Sequence, residues 1–274
     1  MPSPQNSYPS LTKQLEYGYR EFEIDIHLDG GGFFRVYHVR LFDESTSCSC
    51  LAQCLQHFVD WSNRHPGHSP GVIHIEPRGF NYSNLFCDEY RGLPAMRALR
   101  DEIVNTLGQE KLFVPAQLLR GCPPSESDAQ CMARVPEPNI LAALAKHGWP
   151  LVSAMSGRFV VSMNLFGKAH KTPPDGNEDC RRFYLALEND AESKTMPFGG
   201  MPLFTRTDDG IVGAASSNYS AFEERDGTSA QTMGRYGMIM RWVFIREPDK
   251  AQEITDRFAN FPSQLINYHN WVAT

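Results

Sequence analysis

Residues Glu21–Arg40 read EFEIDIHLDGGGFFRVYHVR. Two runs that alternate apolar and polar residues flank an Asp29-Gly30-Gly31-Gly32 loop, which predicts strands over Glu21–His27 and Phe33–His38. Successive side chains of a strand point to opposite faces, so Glu23, Asp25 and His27 share one side of the first strand. Phe22, Ile24 and Ile26 take the other, and His38 lies near the end of the second strand. Carboxylates and a histidine on one wall are costly to bury bare, because like charges in low dielectric raise each other's pKa or demand a cation. The pattern points to a metal or catalytic site. The glycine loop lacks the helix start that a phosphate-binding loop needs and reads as a flexible turn.

Upstream, Ser10 is placed to cap a short helix carrying Leu11 and Leu15, closed by Gly18. Downstream, Leu51, Cys54, Leu55, Phe58 and Trp61 recur at helical spacing between Cys50 and Asn63, and the turn-rich HPGHSPG precedes a strand over Val72–Glu76. The alternation continues with a helix over Leu93–Thr106, a short segment Leu112–Val114, a helix over Ile140–His147 and a strand over Arg158–Asn164. Later strands are expected at Met201–Thr205, Ile211–Ala215 and Met238–Phe244, then a helix at Pro248–Asn260 and a last strand at Gln264–Tyr268. Alternating strands and helices predict an α/β fold, a parallel barrel or a doubly wound sheet.

At 274 residues the chain suits one domain spanning 1–274, a length typical of a closed (β/α) barrel. The net charge of −6 is mild and no basic stripe is present, which argues against nucleic acid as a partner. No apolar run reaches membrane-spanning length, and MPSPQNSYPS has no charged segment leading into an apolar core. The cysteine spacing predicts Cys48–Cys54 and Cys122–Cys131 disulfides, and with them an oxidising, extracellular location. Cys87 and Cys180 read as buried small hydrophobes, and the Cys48-x-Cys50-x₃-Cys54 run has no second ligand pair at zinc-finger spacing. His65 and His68 read as turn residues and His57 as an exposed helix position. His74 alternates with Glu76 on one strand face, which puts it either beneath a metal or in plain core.

The strings Asn6-Ser7-Tyr8, QLEYGYREFEIDI, VYHVR, STSCSCLAQCL, WSNRHPGHSP and HIEPRG resemble the small calcium-dependent phosphoinositide-specific phospholipase C family, among the phospholipase C-like phosphodiesterases. The likeness is dense from Gln5 to Gly79 and continues in GWPLVSAMSGRFVVSMN and in Tyr236–Arg241. It implies a distorted TIM (β/α)8 barrel and a two-step reaction. The inositol 2-hydroxyl attacks the phosphodiester and releases diacylglycerol, and water then opens the cyclic phosphate, with two histidines as acid and base and one Ca2+ assisting. Carried over by position, the calcium ligands are Asn6, Glu23, Asp25 and Glu76, and His38 is the second catalytic histidine.

The first catalytic histidine is replaced. Gln5 stands where the family has histidine in a T/S-H-N-S-Y string, and glutamine donates a hydrogen bond but carries no proton in turnover. His27 is the local candidate to take part of that role. Only four residues precede Gln5, which implies an incomplete first barrel strand. Arg78 and Arg241 are positioned as phosphate forks or as ordinary salt-bridge and strand-end arginines. The expected substrate is a phospholipid or inositol phosphate, reached by a monomer with peripheral membrane contact through Phe80, Tyr82 and Phe86. Two alternatives stand beside this. A glycerophosphodiesterase or sphingomyelinase D-like enzyme would use Mg2+, and a binding barrel would keep the metal wall without turnover.

Overall fold

In the computed structural model the described residues are 9–37, 46–77, 92–123, 125–164, 184–191, 202–207, 220–225 and 239–242. The chain enters through α1 (Leu11–Glu16) and forms the hairpin β1 (Glu21–Leu28) and β2 (Phe34–Val36), followed by α2 (Leu51–Arg64) and β3 (Gly71–Pro77). Next come α3 (Gly92–Leu107), β4 (Leu112–Phe113), α4 (Pro115–Leu119), α5 (Asp128–Met132), α6 (Ile140–His147) and β5 (Phe159–Asn164). Three further strands are β6 (Leu203–Thr207), β7 (Ser220–Arg225) and β8 (Ile239–Trp242).

Among the described residues the sheet order is β2-β1-β3-β5-β6-β7-β8. Every neighbouring pair in that order is parallel except the β1–β2 hairpin. The short β4 lies beside the first two residues of β5, and β6 takes over beside the later ones. Parallel strands need helical crossovers, and the helices cover the apolar side chains of one sheet face. That face is built from Phe22, Ile24, Ile26, Ile73 and Ile75, all buried. Phe58 on α2 packs between Phe22, at 4.9 Å between ring centroids, and Phe159, at 5.7 Å. Burying a side chain of this size contributes about 1.5–3 kcal/mol. Gly71 is required by the same contact, since a Cβ there would lie 2.8 Å from the Phe159 ring.

Local capping follows the sequence in several places. Asn139 accepts from the Ala142 N–H to start α6, and Gly148, at φ 69°, ends it. Ser10 stands at the N-cap of α1 without a side-chain capping bond. At the start of α2 the cap comes from another helix: Glu102 of α3 accepts the Ala52 N–H at 2.8 Å, and burial there pushes its carboxyl pKa up.

Most expected elements are present within a residue or two. The second strand is shorter than Phe33–His38, because Phe33 belongs to the turn: the Phe33 and Gly31 N–H groups both donate to Asp29 Oδ1. Asp29 also accepts from Arg35 Nε at 3.0 Å, so the glycine loop is tied down by its own aspartate. The strand expected at Met201–Thr205 begins two residues later. β7, SAFEER, was not expected, since its only large apolar residue is Phe222; pairing with β6 and β8 supplies what its composition lacks. The five-residue helices α4 and α5 were also missed, being too short to show helical periodicity. The expected elements at Ile211–Ala215, Pro248–Asn260 and Gln264–Tyr268 lie outside the described residues.

Candidate metal centre and active site

The second sheet face is polar where the first is apolar. Parallel pairing sets Glu23 of β1 level with His74 of β3, and Asp25 level with Glu76. Residues two apart on a strand share a face, so Glu21, Glu23 and Asp25 line up beside His74 and Glu76. One oxygen from each of Glu23, Asp25 and Glu76 lies within 4.8 Å of the others. Glu76 is buried and the other two are half-buried. Two oxygens bound to one calcium at 2.3–2.6 Å stand at most about 5 Å apart, and calcium takes hard carboxylate ligands, so both spacing and donor chemistry fit that ion. Bringing three acids together without a counter-charge is unfavourable, and a divalent cation offsets it.

One step towards the N-terminal ends of the strands lies a different arrangement. The His74 ring donates from Nε2 to Glu21 Oε1 at 2.7 Å, and its Nδ1 meets the Ser162 hydroxyl. Both side chains of the Glu21–His74 pair are at most 5% exposed. His74 therefore lies level with Glu23 and one step below Glu76, within a hydrogen-bonded row rather than in apolar core. Glu21 and Ser162 were missed as members of the site. The signals were present: Glu21 continues the Glu23, Asp25 spacing, and Ser162 is the polar residue in the otherwise apolar FVVSM run.

His27 is buried but stands outside the carboxylate group. Its ring stacks on Tyr37 at 3.8 Å, and Nε2 bonds the Tyr37 carbonyl at 3.0 Å. A carbonyl only accepts, so Nε2 carries the proton in that bond. Gln5, Asn6, His38, Arg78, Phe80, Tyr82 and Phe86 lie outside the described residues. Arg241 is on β8, and its side chain is outside them as well.

The remaining histidines separate by burial. His57 is half-buried and meets Thr12 Oγ1 at 3.2 Å. His68 does sit in the turn before β3, but it is buried: its ring bonds the Ser69 carbonyl at 2.7 Å and Ser62 Oγ at 2.9 Å. Burial holds its pKa below the ordinary histidine value. Cys48–Cys54 and Cys122–Cys131 are disulfides as the spacing predicted, and among the described cysteines Cys50 is free. Cys122, Glu126 and Cys131 also converge, but sulfurs joined in a disulfide are not thiolate ligands.

Comparison with known proteins adds to this geometry. The profile of a family described as phosphoinositide phospholipase C, Ca2+-dependent, matches residues 31–180. A calcium-dependent phosphoinositol-specific phospholipase C from the Gram-negative bacterium Pseudomonas sp., in an apo form and myo-inositol complex, superimposes with a TM-score of 0.63 at 18% identity. The superposition covers 97% of this chain and 86% of that one. A Ca2+-dependent phosphatidylinositol-specific phospholipase C from Streptomyces antibioticus gives a TM-score of 0.63 at 18% identity, over 86% of this chain and 76% of that one. No curated protein matches the sequence. The structural likeness shows the fold, a distorted (β/α)8 barrel.

Proposed function

Because this chain belongs to the calcium-dependent phosphoinositide phospholipase C family, we propose that it is a phosphodiesterase that cleaves inositol phospholipids through a cyclic phosphate, with turnover lowered by Gln5. The observation that carries this reading is the convergence of Glu23, Asp25 and Glu76 across two parallel strands, with Glu76 next to the C-terminal end of β3, the end where barrel chemistry is done. Asn6 joins these three as a calcium ligand. Bound calcium supplies charge neutralisation at the phosphoryl group and lowers the pKa of the attacking hydroxyl.

The chain's own residues divide the remaining work. His38 moves the proton of the reacting hydroxyl or of the leaving diacylglycerol oxygen. Gln5 donates a hydrogen bond to a phosphoryl oxygen without transferring a proton. Arg78 and Arg241 bind phosphate through the guanidinium fork. His27 supplies part of the missing proton transfer, with its ring orientation held by Tyr37. Two disulfides support a location outside the reducing cytosol.

The test is calcium-dependent cleavage of phosphatidylinositol by the parent protein, Gln5→His and His27→Ala. Restoring a general acid–base should raise turnover by about 10²–10⁴-fold in Gln5→His. His27→Ala should lower parental activity while leaving calcium binding in place. Cleavage by neither the parent nor Gln5→His, with calcium still bound, would favour a binding barrel. Activity supported by magnesium in place of calcium would favour the glycerophosphodiesterase-like alternative.

A further inference from the structure

We propose that Glu21, His74 and Ser162 form a positioning row that fixes the spacing of the carboxylates above them, and so sets the affinity of the centre for calcium and its preference over magnesium. The proposal rests on the reading of Glu23, Asp25 and Glu76 as cation ligands.

The row crosses three adjacent strands. His74 stands on the central one, β3, and joins Glu21 of β1 on one side to Ser162 of β5 on the other. Ser162 is the register partner of His74, and the two are 88 residues apart in sequence. Each of Glu21 and His74 lies two residues before a wall carboxylate, Glu23 and Glu76, a rise of roughly 7 Å along the strand. Glu21 thus lies below Glu23, and His74 lies level with Glu23 and below Glu76, so the row abuts the wall. A slide of one strand past the next would break it at the same moment as it moved a ligand.

Burial makes the row stiff. Ser162 is 1% exposed, His74 2% and Glu21 8%. Hydrogen bonds between such buried groups cannot be exchanged for water, so leaving one unmade is costly and a single arrangement is favoured. Serine, histidine and glutamate bonded in this order also make up a nucleophilic relay. With Ser162 almost fully covered, however, no phosphoryl group reaches its hydroxyl, which leaves geometry as its contribution.

Geometry is what separates the two ions. Calcium accepts six to eight oxygens at 2.3–2.6 Å, whereas magnesium requires near-octahedral ligands at 2.0–2.1 Å and keeps several waters. Carboxylates held on separate, interlocked strands keep a wide spacing that suits the larger ion. Loosened strands let the same oxygens draw in, which costs calcium affinity and costs magnesium less. Partners of metal ligands commonly change affinity by about 10–100-fold when removed.

The test is calorimetric titration of the chelator-treated full chain with CaCl2 and, separately, MgCl2, for the parent, Ser162→Ala, Glu21→Gln and His74→Phe. Circular dichroism reports which variants keep the native fold. The expected result is a calcium affinity about 10–100-fold weaker in His74→Phe, a smaller loss in Ser162→Ala, and a narrowed calcium-to-magnesium ratio in both. Glu21→Gln, which keeps the acceptor oxygen, should retain most of the affinity. If His74→Phe does not fold, Ser162→Ala carries the test, with Glu21→Gln as the conservative control. Folded His74→Phe or Ser162→Ala with parental calcium affinity would overturn the proposal, and so would an equal loss for both ions. A parent chain that binds neither ion would overturn the cation-ligand reading itself and this inference with it, an outcome distinct from normal parental binding with insensitive variants.

Discussion

Two adjoining rows of side chains on the polar face of β1 and β3 hold acidic groups in opposite ways. In the lower row Glu21 is matched by a histidine ring at 2.7 Å, and that ring is braced on its far side by Ser162. In the upper row Glu23, Asp25 and Glu76 bring three carboxylates within 4.8 Å of one another. The same backbone register produces both, since His74 sits level with Glu23 and Glu76 with Asp25. The difference lies in residue choice: the lower row contains its own counterpart and holds strands together, whereas the upper row accumulates like charge that a cation relieves. Direct cation contact therefore belongs to the upper row, and the lower row reaches the cation only by holding those carboxylates in place.

The largest expected effect tests that separation directly. His74→Ala leaves Glu21 buried without its ring partner, and removing one member of a buried pair costs about 3–5 kcal/mol. Asp25→Asn in the upper row should leave metal-free stability unchanged or raise it by up to about 1 kcal/mol, because it relieves like-charge repulsion. Urea unfolding of both variants in the presence of chelator measures the contrast. Equal destabilisation by the two substitutions would dissolve the distinction between rows.

Calcium gives the next effect. A ligand at 100 times its dissociation constant stabilises the folded state by about 2.7 kcal/mol. Parent protein should show a gain of that size on calcium addition, and Asp25→Asn or Glu76→Gln should show little or none. Thermal melts with and without calcium check this. A calcium response that survives both substitutions would remove the upper row from the metal site.

Removing one disulfide should have a similar or slightly smaller effect, and it should fall outside both rows. Cys48–Cys54 and Cys122–Cys131 span only 6 and 9 residues. Short loops of this kind correspond to about 2–3 kcal/mol each in the chain-entropy account. Cys122→Ser/Cys131→Ser should lower the unfolding midpoint without changing calcium affinity. A loss of calcium binding in that variant would show that the rows are not mechanically independent of the α4–α5 region.

How much of this was legible in the sequence depended on the range of each interaction. The alternation of Glu21–His27 put Glu23 and Asp25 on one face, because strand periodicity sorts side chains without knowledge of partners, while Glu76 in HIEP joined them through the family resemblance. The disulfides were readable from spacing alone. The lower row was not, because the His74–Ser162 bond depends on a register between strands far apart in sequence. Glu21 was passed over for the same reason: its role is defined by a residue on the neighbouring strand. The orientation of His27 towards Tyr37 depends on the short β1–β2 hairpin, whose length the pattern overestimated. His68 was read correctly as a turn residue, but its burial depends on Trp61 and Phe159 packing over it, at 4.8 and 5.2 Å between ring centroids.

That histidine carries the same contrast to the opposite end of the barrel, where the expected effect is smallest. His74 bonds an acid, whereas His68 bonds a backbone carbonyl and the Ser62 hydroxyl, with Arg20, Lys111 and His65 near enough to oppose its protonation. Burial is the main cause of its lowered pKa, and the neighbouring positive groups add to it. The folded-state pKa thus lies below the unfolded value near 6.5. Between the two values the unfolded chain binds more protons than the folded one, so stability rises with pH in that window. The contribution of neutral His68 is present above about pH 6.5 and is lost as pH falls towards the folded-state pKa. His68→Gln should retain a donor towards Ser62 while removing the titration. The fall in unfolding midpoint between about pH 7.5 and 5.5 should be smaller in that variant than in the parent, because only the parent crosses the ordinary histidine range at this position. An identical fall in both proteins would mean that the acid sensitivity arises elsewhere, and that His68, despite its burial, is protonated in the folded state as readily as in the unfolded chain.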